Sequence, residues 1–131
     1  MALISGEIDY LFATGPVASA ARKTGKVRLL AMTTAKRASA FSDLPTMNTF
    51  LPGFEADNWY AMWFPAGTPK DIVNRMNGMI VAALKDKKVG DFMAKEGLDP
   101  VGSTPENLEL QVKHEIVKYA EVLRKGHIAL Q

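Results

Sequence analysis

The sequence predicts an α/β fold whose second half is dominated by helices, and three observations carry that reading. Two β-type runs, residues 8–12 and 27–32, flank a short helical segment. The aromatic run Trp59-Tyr60-Ala61-Met62-Trp63-Phe64 leads straight into Pro65-Ala66-Gly67-Thr68-Pro69, a strand followed by a turn and a helix start. Beyond residue 69, apolar side chains recur at helical spacing.

In order along the chain, residues 1–5 read as the end of an apolar helix stopped by Gly6. Residues 8–12 form a strand candidate that ends in the small residues Ala13-Thr14-Gly15. Pro16 opens a short helix, residues 16–23, and Gly25 closes it as the left-handed terminator. Residues 27–32 are a second buried strand, so the opening reads as strand–helix–strand, a parallel pair with a right-handed crossover. Residues 33–43 are a polar, basic surface connection with a helical turn. Residues 45–51 form a short helix ended by Pro52-Gly53.

The aromatic strand spans residues 58–64. Thr68 can then cap a helix, Pro69 suits the first position where no N–H is required, and Asp71 lies beside the positive helix end. The helix at 69–86 carries Ile72, Val73, Met76, Met79, Ile80, Ala83 and Leu84 on one face. A further helix, 88–96, stops at Gly97, and 99–101 is a brief strand. Thr104-Pro105 repeats the cap-plus-proline device and opens a final helix to about Lys125. Its apolar face is Leu108, Val112, Ile116, Tyr119, Ala120 and Leu123.

Composition narrows the function classes. At 131 residues the chain is one domain by length. Its net charge of +2 is small and dispersed, which excludes a nucleic-acid stripe or a polybasic membrane tail. With no cysteine there is no disulfide, no thiolate nucleophile and no thiolate-held metal. The start has neither a basic n-region nor a long apolar stretch, so the chain as written is expected to stay in the cytoplasm.

No catalytic constellation is present. His114 and His127 have no convergent ligand spacing and read as surface residues. Ser5, Ser19, Ser39, Ser42 and Ser103 lack a nucleophile elbow. Glu106, Glu109, Glu115 and Glu121 alternate with lysines and suit a solvated helix face. Gly97 and Gly102 bracket a strand and make no phosphate loop. Arg22, Lys23, Lys26, Arg28, Lys36 and Arg37 form a solvated basic surface, with a favourable field for anionic ligands as the second reading. No enzyme activity, cofactor or metal is expected.

A series of short motifs in order does carry a family resemblance. They are Gly6-Glu7-Ile8-Asp9, Gly25-Lys26-Val27-Arg28, Leu30-Ala31-Met32-Thr33, Arg37, Asp43-Leu44-Pro45-Thr46, Pro52-Gly53-Phe54 and Trp59. Pro65-Ala66-Gly67-Thr68-Pro69, Gly97, the Pro100–Gly102 stretch and Thr104-Pro105 complete the series. In order and spacing, the chain resembles the C-terminal part of the Bug-type receptors of tripartite tricarboxylate transporters. The resemblance implies a truncated type II periplasmic-binding fold with remnants of both lobes. Residues 1–57 then belong to lobe two and residues 58–131 to the returning part of lobe one.

It also implies a periplasmic receptor that captures a small carboxylate, without catalysis, for membrane transporter subunits. The family's signal peptide, first anion loop and Gly-x-Gly loop have no counterpart in these residues, so full-affinity capture is expected to be lost. An unpaired sheet edge and bare apolar faces imply a homo-oligomer, a dimer that packs face to face or exchanges elements. A structural homodimer without transport function is the alternative.

Two site candidates follow from the resemblance. The first is the loop at Ala13, Thr14 and Gly15, which the family places at the cleft and which opens onto a helix N-terminus. Ala13 stands where many relatives carry Asp, which favours a plain carboxylate over an amino acid. The other reading is an ordinary loop. The second candidate is Trp59 and Tyr60, as a wall against a planar or apolar solute. For these two, core packing is the first reading and the pocket wall the second.

Overall fold

The computed structural model describes residues 2–128. Among these described residues are five α-helices: α1 Ala2–Ser5, α2 Gly15–Lys23, α3 Lys70–Leu84, α4 Lys87–Lys95 and α5 Pro105–Lys125. Two 3₁₀ turns, Ser39–Phe41 and Met47–Thr49, stand at the expected helical turn and short helix of the connecting region.

Helix ends follow local chemistry. α4 ends in a Schellman motif: the Gly97 N–H donates to Ala94 O at 3.1 Å and the Leu98 N–H to Met93 O at 2.9 Å. The motif needs a left-handed residue, and Gly97 has φ +71°. α5 closes the same way with His127 in that position, at φ +53°, and the Ile128 N–H on Leu123 O. Thr104 Oγ1 caps α5 by accepting from the Asn107 N–H at 3.2 Å. Asp86, read as the end of α3, instead caps α4 by accepting from the Lys88 and Val89 N–H groups. Thr68 does not act as the expected cap. Its hydroxyl donates backward to Pro65 O at 2.8 Å and stabilises the turn.

The expected strands differ most. Residues 8–12, 27–32, 58–64 and 99–101 form no ladder among the described residues. The parallel pair of 8–12 with 27–32 is absent, and a single parallel bridge joins Met32 to Thr46. In that bridge the Met32 N–H donates to Pro45 O and the Met47 N–H to Met32 O. A parallel strand is stable only with neighbours on its edges and cover on its faces. Residues 8–12 and 58–64 have neither here, and Tyr10 is 75% exposed and Met62 69%. The aromatic run is therefore not a buried strand.

The chain separates into two compact units. Unit 1 comprises Met1–Trp63 with Leu84–Pro100, and unit 2 comprises Phe64–Ala83 with Val101–Gln131. Among the described residues of unit 1, Ala21, Met32 and Phe41 are the buried apolar ones, and Thr46 is buried as well. In unit 2, the Asn77 amide on α3 donates to Ser103 O at 2.8 Å. Glu115 is buried, contrary to its reading as part of a solvated face, and Ile116 is exposed instead. The observed inner stripe of α5 runs Leu108, Val112, Glu115, which keeps helical spacing but sits one residue out of phase with Ile116. Lys118 Nζ, 3.3 Å away, offsets the Glu115 charge.

Candidate functional site

The loop at residues 13–15 leads into α2. Thr14 is the N-cap residue with extended backbone, and its carbonyl accepts from the Ala18 N–H at 2.9 Å. Its hydroxyl makes no capping bond. Pro16 has no N–H to offer. Among the described residues, no hydrogen bond uses the N–H of Gly15 or Val17. The first turn of α2 has no acidic side chain.

The loop is held from one side. Gly15 lies so close to the turn after α4 that a Cβ there would run into the carbonyl oxygen of Gly97. A Cβ on Gly97 would in turn fall 2.8 Å from Phe41 Cε2 and 3.0 Å from Gly15 O. One helical turn beyond Gly15, Ser19 Oγ donates to Lys95 O at 2.8 Å. Ser39 Oγ and its N–H both donate to the Asp99 carboxylate. Ala13 is exposed, and Thr14 and Gly15 are half-buried.

Trp59 and Tyr60 lie on a segment without regular structure, 38% and 68% exposed. Neither alternating face of 58–64 is fully buried among the described residues. No hydrogen bond among the described residues joins them to the 13–15 loop.

Elsewhere, the basic surface splits by role. Arg22 grips Asp43 in a fork, with Nη2 to Oδ2 at 2.7 Å and Nη1 to Oδ1 at 3.2 Å. The bond to Arg22 holds the Asp43 carboxyl below its ordinary range, and the same bond raises Arg22. Lys23, Lys26, Arg28, Lys36 and Arg37 are exposed. In unit 2 an open groove of about 360 Å³ runs along α5, lined by His114, Val117, Lys118, Glu121, Val122 and Lys125. Its lysines are already paired, Lys118 with Glu115 and Lys125 with Glu121, so it offers an anion little. Among the described residues, no group of three or more His, Asp or Glu side chains could hold a metal. No helix there is long and apolar enough to cross a membrane.

Comparison with known proteins decides the family. The tripartite tricarboxylate transporter family receptor profile matches residues 1–128. The chain belongs to this receptor family. Over 128 residues it is 32% identical to a UPF0065 protein of Agrobacterium vitis, covering 95% of this chain and 37% of that protein. BugT of Bordetella pertussis is 34% identical over 104 residues, 79% of this chain and 32% of BugT. Among solved structures, R. palustris Rpa4515 with adipate superposes with a TM-score of 0.77 at 32% identity, over 87% of this chain and 38% of that one. The periplasmic binding protein BugD gives 0.72 at 35% identity, over 83% and 38%. The chain thus spans between 32% and 38% of the length of these relatives and solved structures. Its fold is a part of a periplasmic binding fold, which is why strands readable in the sequence stand without partners.

The sequence did not reveal the contact between Gly15 and Gly97. Gly97 signalled a helix stop, and nothing local to it signals which backbone lies against it.

Proposed function

We propose that these residues contribute to periplasmic capture of a small organic acid for a tripartite tricarboxylate transporter, by binding without catalysis. The observation that carries this reading is the family match running unbroken through the α2 loop, whose foremost N–H groups are unspent. In this reading residues 1–57 derive from the second lobe of a receptor and residues 58–131 from the first. The Gly15 and Val17 N–H groups and the Thr14 hydroxyl meet a carboxylate, as helix N-termini favour anions. Ala13 supplies no carboxylate for a ligand ammonium, which suits a plain di- or tricarboxylate. Trp59 and Tyr60 offer aromatic surface to the methylene chain of such an acid.

Adipate, the acid in the Rpa4515 structure, is the first ligand to test. Because the chain matches only 38% of that receptor, its residues supply part of a ligand shell, and a Kd of roughly millimolar is expected, about 4 kcal/mol. Adipate titration followed by amide NMR should move the signals of residues 13–17 and the indole of Trp59. No movement there at tens of times that concentration (~tenfold excess over Kd or more) removes the reading.

A second reading is a structural homodimer that covers the bare segments of unit 1. The exposed Tyr10, Phe12, Leu30, Met62 and Trp63 favour it. Light scattering on the same samples decides: a monomer throughout a micromolar dilution series excludes the dimer.

A further inference from the structure

We infer that the turn ending α4, residues 95–99, is the seat that positions the α2 N-terminus, and that Gly97 and Ser19 are positioning residues for carboxylate capture. The inference rests on the proposed binding role of residues 13–15. Its own support is the geometry of a contact between two regions remote in sequence.

At that contact two glycines meet backbone to backbone. A Cβ on Gly15 would collide with the Gly97 carbonyl, and a Cβ on Gly97 would collide with the Phe41 ring and press on Gly15 O at 3.0 Å, so the two segments approach more closely than side chains there would allow. The Gly97 carbonyl is not on a loose loop. The Schellman motif and its φ of +71° fix it to the rigid end of α4. Phe41, 8% exposed, brings its ring edge to the same position beside Gly97 that the Gly15 carbonyl crowds, and so closes the contact in.

A single point of contact would leave α2 free to pivot. Ser19 supplies the second. It follows Gly15 by four residues, on the same face of the helix, and bonds to Lys95 O. Two anchors one turn apart fix both the height and the tilt of the helix end. The Ser39–Asp99 bonds tie the far side of the same turn to the segment that carries Phe41.

The arrangement leaves the Gly15 and Val17 N–H groups unspent while the backbone that bears them is held. Donors held before the ligand arrives lose less freedom on binding, so affinity depends on the seat although residues 95–99 touch no ligand. The end of α4 also brings carbonyl oxygens beside the positive end of α2, which favours the same pose.

Amide hydrogen exchange on the full chain reads the seat without any ligand. Ser19→Ala is expected to speed exchange of the Ala18 and Ser19 amides about fivefold, the worth of one hydrogen bond, with α5 amides unchanged. Ser19→Thr keeps a hydroxyl for Lys95 O and should restore parental rates. Gly97→Ala should act more strongly, about tenfold or more, through the Phe41 and Gly15 clashes. Adipate affinity should fall in parallel in Ser19→Ala and Gly97→Ala and recover in Ser19→Thr. If Gly97→Ala does not fold, the Ser19 pair still decides.

Parental exchange at residues 18–19 in Ser19→Ala overturns the seat, whatever the chain binds. Faster exchange with unaltered adipate affinity overturns the positioning role. A parent chain that gives no adipate response overturns the carboxylate reading, and the seat is then judged on exchange alone.

Discussion

The two compact units are held by different kinds of contact. Unit 1 is tied by bonds between residues far apart in sequence: Ser19 to Lys95, Arg22 to Asp43, Ser39 to Asp99, Met32 to Thr46, and the glycine contact at 15 and 97. Unit 2 is mostly satisfied within its helices. Glu109–Lys113, Glu115–Lys118 and Glu121–Lys125 are ion pairs within one turn, and the Asn77–Ser103 bond links α3 to the residue before the α5 cap. Local pairs on a helix surface each add little and survive on their own. Long-range ties are cooperative, because losing one loosens the segments that the others must hold. Unit 1 should therefore respond to single substitutions as a whole, and unit 2 turn by turn.

The largest test of that contrast is Phe41→Ala. Phe41 is one of three apolar residues buried among the described residues of unit 1, and its ring lies against Gly97. Truncating a buried phenylalanine costs about 3 kcal/mol. Exchange should quicken throughout unit 1, including the Met32–Thr46 bridge and the Ser19 end of α2, while α5 keeps its protection. If the effect stays within residues 39–41, the cooperative picture of unit 1 fails.

Thr104→Ala probes the other side of the comparison. Its hydroxyl caps α5, and removing such a cap costs about 1 kcal/mol. The loss should appear as fraying of the first turn, around Asn107, with the C-terminal turns unmoved. Amide exchange resolved along α5 measures it. A uniform loss over the whole helix would show that unit 2 is as cooperative as unit 1.

The same contrast explains what the sequence disclosed. Helices were legible because their signals are local: Thr104-Pro105 opens α5, Gly25 follows α2 and Gly97 ends α4, each within a residue or two of the expected place. Burial was less so, since Glu115 and Ile116 are neighbours and a small change in helix phase exchanges them. The strands failed for a different reason. Residues 8–12 and 58–64 have β-type side chains, but a strand is completed by its neighbour, and no neighbour is present in these residues. The 13–15 loop was legible only through family resemblance, as Ala13-Thr14-Gly15 has no chemical signature of its own. The turn that seats it lies too far along the chain for any spacing rule to connect.

The smallest effect expected concerns Asp43, and its sign can be worked out. Hydrogen bonding from Arg22 is the first cause of its lowered pKa, with burial opposing and the Arg22 charge adding to it. A carboxyl whose folded value lies below its unfolded value stabilises the fold wherever it is ionised in both states. That contribution is present above the ordinary carboxylate range and is lost as pH falls through the depressed value. Both side chains are about half exposed, which screens the pair and keeps its contribution small. Asp43→Asn should therefore lower the melting temperature slightly at neutral pH, and the difference from the parent chain should vanish in strong acid. Because the pair is one of the long-range ties of unit 1, its loss at neutral pH should also register at the Ser19 amide. A difference between variant and parent that persists in acid would mean that Asp43 acts through packing rather than charge, and the Arg22 fork would leave the set of ties that distinguishes unit 1.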